Sequence, residues 1–235
     1  MGERINIDQH KAILVFILKD IYTDVKLATR LGFKGGTALY FFYDLNRFSV
    51  DLDFDLLDRD DEEMVYKKLL EIISSYGDIK DSAVKNFGSL ISLSYEKGKH
   101  YLKVDVSNRD SGSSYEVKSF MGVPLNVMKL EDMAANKLIA LTDRKKPANR
   151  DLFDTYFLLR NFIEFNETVI QARSGVSLKE QIIKAIEHVQ GIDPSSVLNG
   201  LGELVDDKQK IWIKNKLHKE LLFQLRLKLD SLTNS

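Results

Sequence analysis

Residues 34–54 decide the fold, and their sequence is KGGTALYFFYDLNRFSVDLDF. Two adjacent glycines, Gly35 and Gly36, are followed by Thr37 and by a short apolar stretch at helical spacing. From residue 48 to residue 57 apolar residues alternate with polar ones, mostly aspartates. This period of two is typical of a strand that is buried on one face. We therefore predict a turn, a helix over 38–45 and a strand that carries acidic side chains on its open face.

The two ends of this segment predict a phosphate site and a metal site. Because Gly35 and Gly36 precede a helix, backbone N–H groups at the helix start can face an anion, and Thr37 adds a hydroxyl donor. Asp51 and Asp53 are two residues apart in a strand, so their carboxylates project from the same face. Clustered carboxylates repel one another unless cations neutralise them, and hard oxygen ligands favour Mg²⁺ or Mn²⁺. The pattern indicates phosphoryl transfer supported by divalent cations.

A third carboxylate is predicted on another strand. Residues 89–96 and 100–107 both alternate, and the Lys-Gly-Lys stretch at 97–99 between them is typical of a hairpin turn. In the second run Asp105 lies opposite the apolar face. Taken singly, a Gly-Gly turn is most often only a turn, and an Asp-x-Asp strand is most often a solvated face. In this order and at this spacing, the three elements together favour one active site.

The remaining pattern predicts an α+β front half and a helical back half. Strand signals fade after residue 128, so we place a boundary near 124–129 and predict domains at 1–128 and 129–235. Gly32 is predicted to cap the first helix in the left-handed conformation. The predicted helices span residues 6–30, 60–76, 130–142, 149–163, 178–189 and 206–229.

Composition excludes several kinds of protein. The chain has no cysteine, which excludes disulfides, thiolate zinc sites and a cysteine nucleophile and fits a reducing cytoplasm. The apolar run at 13–18 is too short to span a bilayer and lacks a signal-peptide cleavage region. The formal net charge of −1 gives no overall attraction for a polyanion, so nucleic-acid binding would need a local patch. We expect a cytoplasmic protein with no membrane partner.

Two blocks of the sequence resemble the AbiEii/AbiGii family, whose members are nucleotidyltransferase toxins of type IV toxin–antitoxin systems within the DNA polymerase β superfamily. The first block is KGGTAL at 34–39 with RFSVDLDF at 47–54. The second block consists of KLIAL at 137–141, Arg144, Arg150, Asp151 and Asp154. The resemblance covers roughly residues 30 to 160. One departure is that Gly36-Thr37 stands where the superfamily more often has Gly-Ser, which conserves the hydroxyl.

This resemblance implies a polymerase-β-like nucleotidyltransferase domain with a mixed sheet, followed by a helical domain, and it implies roles for individual residues. The residues that would bind the triphosphate of an NTP are Lys34, Gly35, Gly36 and Thr37. Arg47 and Ser49 would brace the acidic strand or contact phosphate. Those that would hold Mg²⁺ or Mn²⁺ and act in catalysis are Asp51, Asp53 and Asp105. Of these, Asp105 would also be the candidate base for the acceptor hydroxyl.

The second block has two interpretations. Lys137 and Arg144 fall on one helix face, and Asp151 follows at the start of the next helix. The pattern alone favours a helix hairpin held by ion pairs. By resemblance, Lys137 and Arg144 would bind nucleotide phosphate, and Asp151 or Asp154 would orient the basic side chains. Lys137 and Asp151 are therefore also candidate catalytic residues.

The implied reaction is attack of an acceptor hydroxyl on the α-phosphate of an NTP. The acceptor would be RNA, such as the end of a tRNA, or a protein side chain. The implied biological role is growth inhibition or abortive infection, opposed by a cognate antitoxin. A small-molecule nucleotidyltransferase and a non-catalytic nucleotide-binding module remain open as alternatives. The lysine-rich last helix suits an RNA surface, but a solvated helix face is the favoured interpretation.

Overall fold

The computed structural model describes residues 6–96, 101–110, 112–143 and 148–233. These residues form two compact units. The first unit comprises the described residues of Met1–Asp110 together with Tyr115–Met128. The second comprises those of Ser111–Ser114 together with Lys129–Ser235.

A mixed sheet is the centre of the first unit. Its strands are β1 Leu31–Lys34, β2 Leu52–Leu56, β3 Asp78–Lys85, β4 Gly88–Ser94, β5 Tyr101–Ser107, β6 Tyr115–Phe120 and β7 Val123–Met128. They lie in the order β3-β4-β5-β2-β1-β7-β6. The pairs β2–β5 and β1–β7 are parallel, whereas β1–β2, β3–β4, β4–β5 and β6–β7 are antiparallel. The mixed sheet confirms the predicted α+β class.

Helices cover one face of this sheet. The helices of the first unit are α1 Ile7–Thr23, α2 Gly35–Phe42 and α3 Glu62–Ser74. Helix α1 packs against α3 and β7, and α3 packs against β3 and β4. On β5, Leu102, Val104 and Val106 are buried. The alternate residues Lys103 and Asp105 are exposed on the opposite face, which we call the carboxylate face. The predicted alternation of β5 is therefore confirmed.

The second unit is helical. Its helices are α4 Leu130–Asp143, α5 Asn149–Arg160, α6 Glu167–Ser174, α7 Leu178–Gln190, α8 Asp207–Trp212 and α9 His218–Thr233. A π-helical segment, Ile213–Leu217, joins α8 to α9 without a break, so the helix predicted over 206–229 is continuous from Asp207 to Thr233. The core forms where α4, α5, α7 and α9 pack together. Within the described ranges, none of the helices has the length and apolar character needed to cross a bilayer.

The prediction for residues 6–34 was wrong in its second half. Helix α1 ends at Thr23, and Gly32 lies inside strand β1 instead of capping a helix. The strand predicted over 48–57 is shorter, because regular pairing begins only at Leu52. The helix predicted over 38–45 begins earlier, at Gly35. The turn predicted at 97–99 lies outside the described residues.

The ring of Tyr115 explains why residue 32 is a glycine, because it packs directly against this position. A Cβ atom on Gly32 would overlap the ring of Tyr115. The Tyr115 hydroxyl donates to Oδ2 of Asp55 at 2.6 Å, and Lys34 Nζ lies 2.5 Å from Oδ1 of the same carboxylate. Asp55 is buried, so these two partners stabilise its charge. Close packing at Gly32 thereby keeps Tyr115 on Asp55.

We expect Gly32→Ala to lower the free energy of unfolding by about 1–3 kcal/mol, because the added methyl group overpacks the Tyr115 ring. Urea denaturation measures this loss. In a Tyr115→Ala background the same substitution should be neutral or stabilising, since alanine is intrinsically preferred to glycine in a strand. An equal loss in both backgrounds would contradict the proposed clash.

Candidate active site

A pair of aspartates on neighbouring parallel strands forms the centre of the site. The register of β2 on β5 places Asp53 opposite Asp105. Neighbouring strands are ~4.8 Å apart and opposed side chains leave the same face, so both carboxylates can reach one cation. Partial desolvation by the groups around it, and then the charge of Asp53, raise the pKa of the Asp105 carboxyl, while the charges of Lys34 and Lys85 act in the opposite direction. The charge of Asp53 thus disfavours ionisation of Asp105.

The glycine turn lies directly against this pair. Gly35 has a φ of +83°, in the region that favours glycine, and a Cβ atom there would overlap Oδ2 of Asp53. A Cβ atom on Gly36 would lie 2.8 Å from Oγ of Ser49 and 2.9 Å from Nη2 of Arg47. Both glycines are therefore required by close approach of other groups. The predicted phosphate site and the carboxylates are adjacent within the first unit.

Three buried side chains fix the segment between the turn and β2. Thr37 donates its hydroxyl proton to the carbonyl of Asp51 at 2.5 Å. Arg47 donates from Nη1 to the carbonyl of Phe48 at 2.9 Å, and Ser49 packs against Gly36. These contacts fit the bracing role that the resemblance implies. The direct phosphate contacts expected of the three side chains stay predictions.

Asp51 is held differently from the other two carboxylates. Its Oδ1 accepts a hydrogen bond from the backbone N–H of Lys103 at 3.3 Å. Among the residues that the structure describes, no cluster of three His, Cys, Asp or Glu side chains is arranged to hold a metal ion. Mg²⁺ needs only one or two carboxylates when substrate phosphates supply further ligands. Asp53 and Asp105 are candidate ligands for such a cation, and metal binding by Asp51, Asp53 and Asp105 stays a prediction.

His10 supports the same segment, although the sequence pattern did not indicate it. This side chain is fully buried on α1, where Nε2 lies 2.8 Å from the carbonyl of Val50 and Nδ1 lies 2.6 Å from the hydroxyl of Tyr95. A neutral imidazole that donates from Nε2 and accepts at Nδ1 satisfies both contacts. His10 thus ties the residue before Asp51 to α1. The available signal was its helical spacing from the buried Leu14.

Lys137 of the second unit pairs with two aspartates of α5. Its Nζ lies 2.7 Å from Oδ2 of Asp154 and 3.5 Å from Oδ1 of Asp151. The exposed side-chain fractions are 16% for the lysine, 0% for Asp154 and 3% for Asp151. The predicted helix hairpin therefore contains a nearly buried ion-pair cluster. Phosphate binding by Lys137 and a catalytic role for Asp151 stay predictions, and Arg144 lies outside the described residues.

A family model decides the identity of the chain. The model for the nucleotidyl transferase AbiEii toxin of type IV toxin–antitoxin systems matches residues 17–212. The chain belongs to this family. Membership confirms the resemblance seen in the sequence, makes the chain a nucleotidyltransferase of a toxin–antitoxin system and implies a cognate antitoxin. No curated protein sequence matches the chain.

Solved structures share the fold of this AbiEii protein. A candidate nucleotidyltransferase from H. pylori is 24% identical with a TM-score of 0.57, covering 95% of this chain and 96% of that one. JHP933 from Helicobacter pylori is 22% identical with a TM-score of 0.53, covering 99% of each chain. The nucleotidyltransferase toxin MenT4 from Mycobacterium tuberculosis H37Rv is 18% identical with a TM-score of 0.61, covering 97% of this chain and 86% of that one. These similarities confirm the nucleotidyltransferase-like fold.

We expect Asp105→Asn to raise the thermal unfolding midpoint of the metal-free AbiEii protein at neutral pH. Because the pKa of Asp105 is higher in the folded than in the unfolded protein, the stability contributed by this group falls as pH rises through that pKa. The difference between variant and wild type should vanish in acid, where Asp105 is protonated in both states. Thermal melts of both proteins in EDTA over a range of pH measure this difference in unfolding midpoint. Asp60→Asn, which changes an exposed carboxylate, is the control. An Asp105→Asn variant that melts below wild type at pH 7 would contradict the claim that the charge of Asp105 destabilises the metal-free protein.

Lys137→Met should cost about 3–5 kcal/mol of unfolding free energy, because two buried carboxylates lose their shared ammonium partner. Urea denaturation measures the loss, and adding Asp154→Asn should restore part of it. Lys210→Met is the control, because Lys210 pairs with Asp207, whose carboxylate is largely exposed. This substitution should cost less than about 1 kcal/mol of unfolding free energy. Equal losses for the two lysine variants would exclude a structural role for the Lys137 cluster.

Proposed function

We propose that the chain transfers a nucleoside monophosphate from an NTP to an acceptor hydroxyl and acts as the toxin of its toxin–antitoxin pair. The observation that carries the proposal is the Asp53–Asp105 pair, in register on parallel strands and in contact range of the Gly35 turn. A helix start beside two carboxylates suits a substrate that brings both phosphate and divalent cations.

The triphosphate would bind at the start of α2. The first N–H groups of a helix have no intrahelical acceptor and point along the axis, and the glycines let a phosphate approach them closely. Lys34 adds positive charge beside the pair, since its charge lowers the pKa of Asp105 while its Nζ stays on Asp55. The guanidinium of Arg47 lies directly behind Gly36.

Transfer requires one bond to form and one to break. Asp53 and Asp105 would hold Mg²⁺ or Mn²⁺, which when bound would neutralise phosphate charge and help to align the reacting oxygens. The acceptor oxygen forms a bond to the α-phosphorus, the bond from that phosphorus to the bridging β-phosphate oxygen breaks, and pyrophosphate leaves with the electron pair. Asp105 would also be the candidate base that takes the hydroxyl proton.

The proposal also covers partners and location. The acceptor would be RNA, such as the end of a tRNA, or a hydroxyl-bearing protein side chain. Lys137 would add a phosphate contact, with its ammonium held in place by Asp151 and Asp154. The toxin would act in the cytoplasm, in growth inhibition or abortive infection, against its antitoxin.

Asp53→Asn tests the proposed transfer. The protein is incubated with each α-labelled NTP, Mg²⁺ and total cellular RNA or total cellular protein. Wild type should label an acceptor, and the variant should do so roughly a hundredfold to a thousandfold more slowly, because it loses one charge of the cation site. Asp60→Asn, on the surface of the same unit, is the matched control, and EDTA should abolish labelling.

The outcomes of this assay separate the alternatives. Equal labelling by wild type and Asp53→Asn would remove that carboxylate from the reaction. Metal-dependent NTP binding without transfer to any acceptor would favour a binding module. Label that appears only in small metabolites would favour a small-molecule nucleotidyltransferase.

A further inference from the structure

The two edges of the sheet in the first unit differ in how they are protected. β6 is one edge, and it pairs with β7 over its whole length without a register shift or a proline. β3 is the other edge, where a register shift between Ile79 and Asp81 interrupts the pairing and four of the eight residues are charged. Bulges and charges of this kind keep an edge strand from pairing with other chains. Val117 of β6, in contrast, is apolar and 72% exposed.

The hairpin turn determines which main-chain groups of β6 face outward. Residues 121–122 have φ values of +49° and +83°, as in a two-residue type I′ turn. Phe120 is then in the hydrogen-bonded pair that closes the hairpin, and every second residue of β6 repeats this arrangement. The Lys129 N–H, which donates to the carbonyl of Ser114 at 2.9 Å, follows the same alternation. The N–H and C=O of Val117 therefore point away from β7, toward the open edge.

The sequence of β6 is complementary to itself when two copies run antiparallel. With Val117 opposite Val117 of a second copy, Glu116 is opposite Lys118, and two-fold symmetry repeats this charged pair. The outward N–H and C=O groups of the two valines can then bond each other. Their side chains would cover each other on the carboxylate face, which Val117 shares with Tyr115. One register thus satisfies main chain, apolar side chains and charges together.

Tyr43, which follows α2, holds the two charged side chains of β6 in place. Nζ of Lys118 lies 3.0 Å from Oε1 of Glu116 and 5.0 Å from the centroid of the Tyr43 ring. The Tyr43 hydroxyl donates to the same Oε1 at 3.4 Å. Because these contacts restrict both side chains before association, less conformational entropy is lost when a second copy adds its own pair. The four charges would alternate in sign across the interface.

We propose that β6 is a dimerisation edge, where a second copy of the chain adds its own β6 antiparallel about a two-fold axis at Val117. Pairing joins the seven-stranded sheets of the two copies into one sheet. Opposed residues of antiparallel strands share a face, so the carboxylate faces of both copies lie on the same side of the joined sheet. The formal net charge of −1 on each chain opposes this association only weakly.

Analytical ultracentrifugation at protein concentrations from about 1 to about 100 μM tests the dimerisation edge. The wild-type mass should rise from 26.9 kDa toward twice that value. Val117→Pro removes an N–H that points away from β7 and places a ring at the open edge. This variant should keep the circular dichroism spectrum of wild type and stay at 26.9 kDa. A wild type that stays monomeric at every concentration would overturn the dimer.

A charge exchange tests the register. Glu116→Lys makes both charges of β6 positive, and Lys118→Glu makes both negative. Each variant alone should self-associate roughly tenfold more weakly than wild type, because like charges then face each other in both pairs. An equal mixture of the two variants should form a heterodimer with about the wild-type affinity, since every opposed pair again has opposite signs. A mixture that stays monomeric would overturn the antiparallel register and the proposal with it.

Matched controls come from the other edge of the sheet. Asp78 and Lys80 of β3 are also two residues apart, with Nζ of the lysine 3.4 Å from Oδ2 of the aspartate. Asp78→Lys and Lys80→Glu should leave the wild-type dimer unchanged. A dimer that persists in both β6 charge variants, or that only the β3 variants disrupt, would overturn the assignment to β6. These measurements need no nucleotide transfer, so their failure would leave the proposed function standing.

Discussion

Two like charges held side by side by strand register are the constraint on which the first unit depends. Main-chain pairing of β2 with β5 keeps the backbone positions of Asp53 and Asp105 side by side. The burial of apolar side chains on the opposite face stabilises a sheet that tolerates this repulsion. Gly35 is part of the same constraint, since no side chain fits between the helix start and the Asp53 carboxylate. The site is thus built around an unfavourable interaction that bound cations would relieve.

The aspartates of the acidic segment have different roles despite their regular spacing. Asp51 accepts a backbone hydrogen bond from β5, Asp53 faces Asp105, and Asp55 is buried between Lys34 and Tyr115. Of these three aspartates, only Asp53 lies both opposite another aspartate and against the glycine turn. Asp55 keeps Lys34 beside the pair, so a buried structural contact supplies charge to the site. The role of each aspartate is set by the residues of other strands that contact it.

Apolar alternation predicted β2, β4 and β5, but it did not predict β1, β3, β6 or β7. β5 and the turn before α2 follow from period and glycine placement, whereas β3 and β6 are edge strands with exposed residues on both faces and little apolar alternation. β1 has only four residues, so Gly32 resembled a helix cap. The placement of Asp53 opposite Asp105 depends on parallel pairing between segments about 50 residues apart, which local periodicity does not specify. The His10 contact with Val50 is equally non-local.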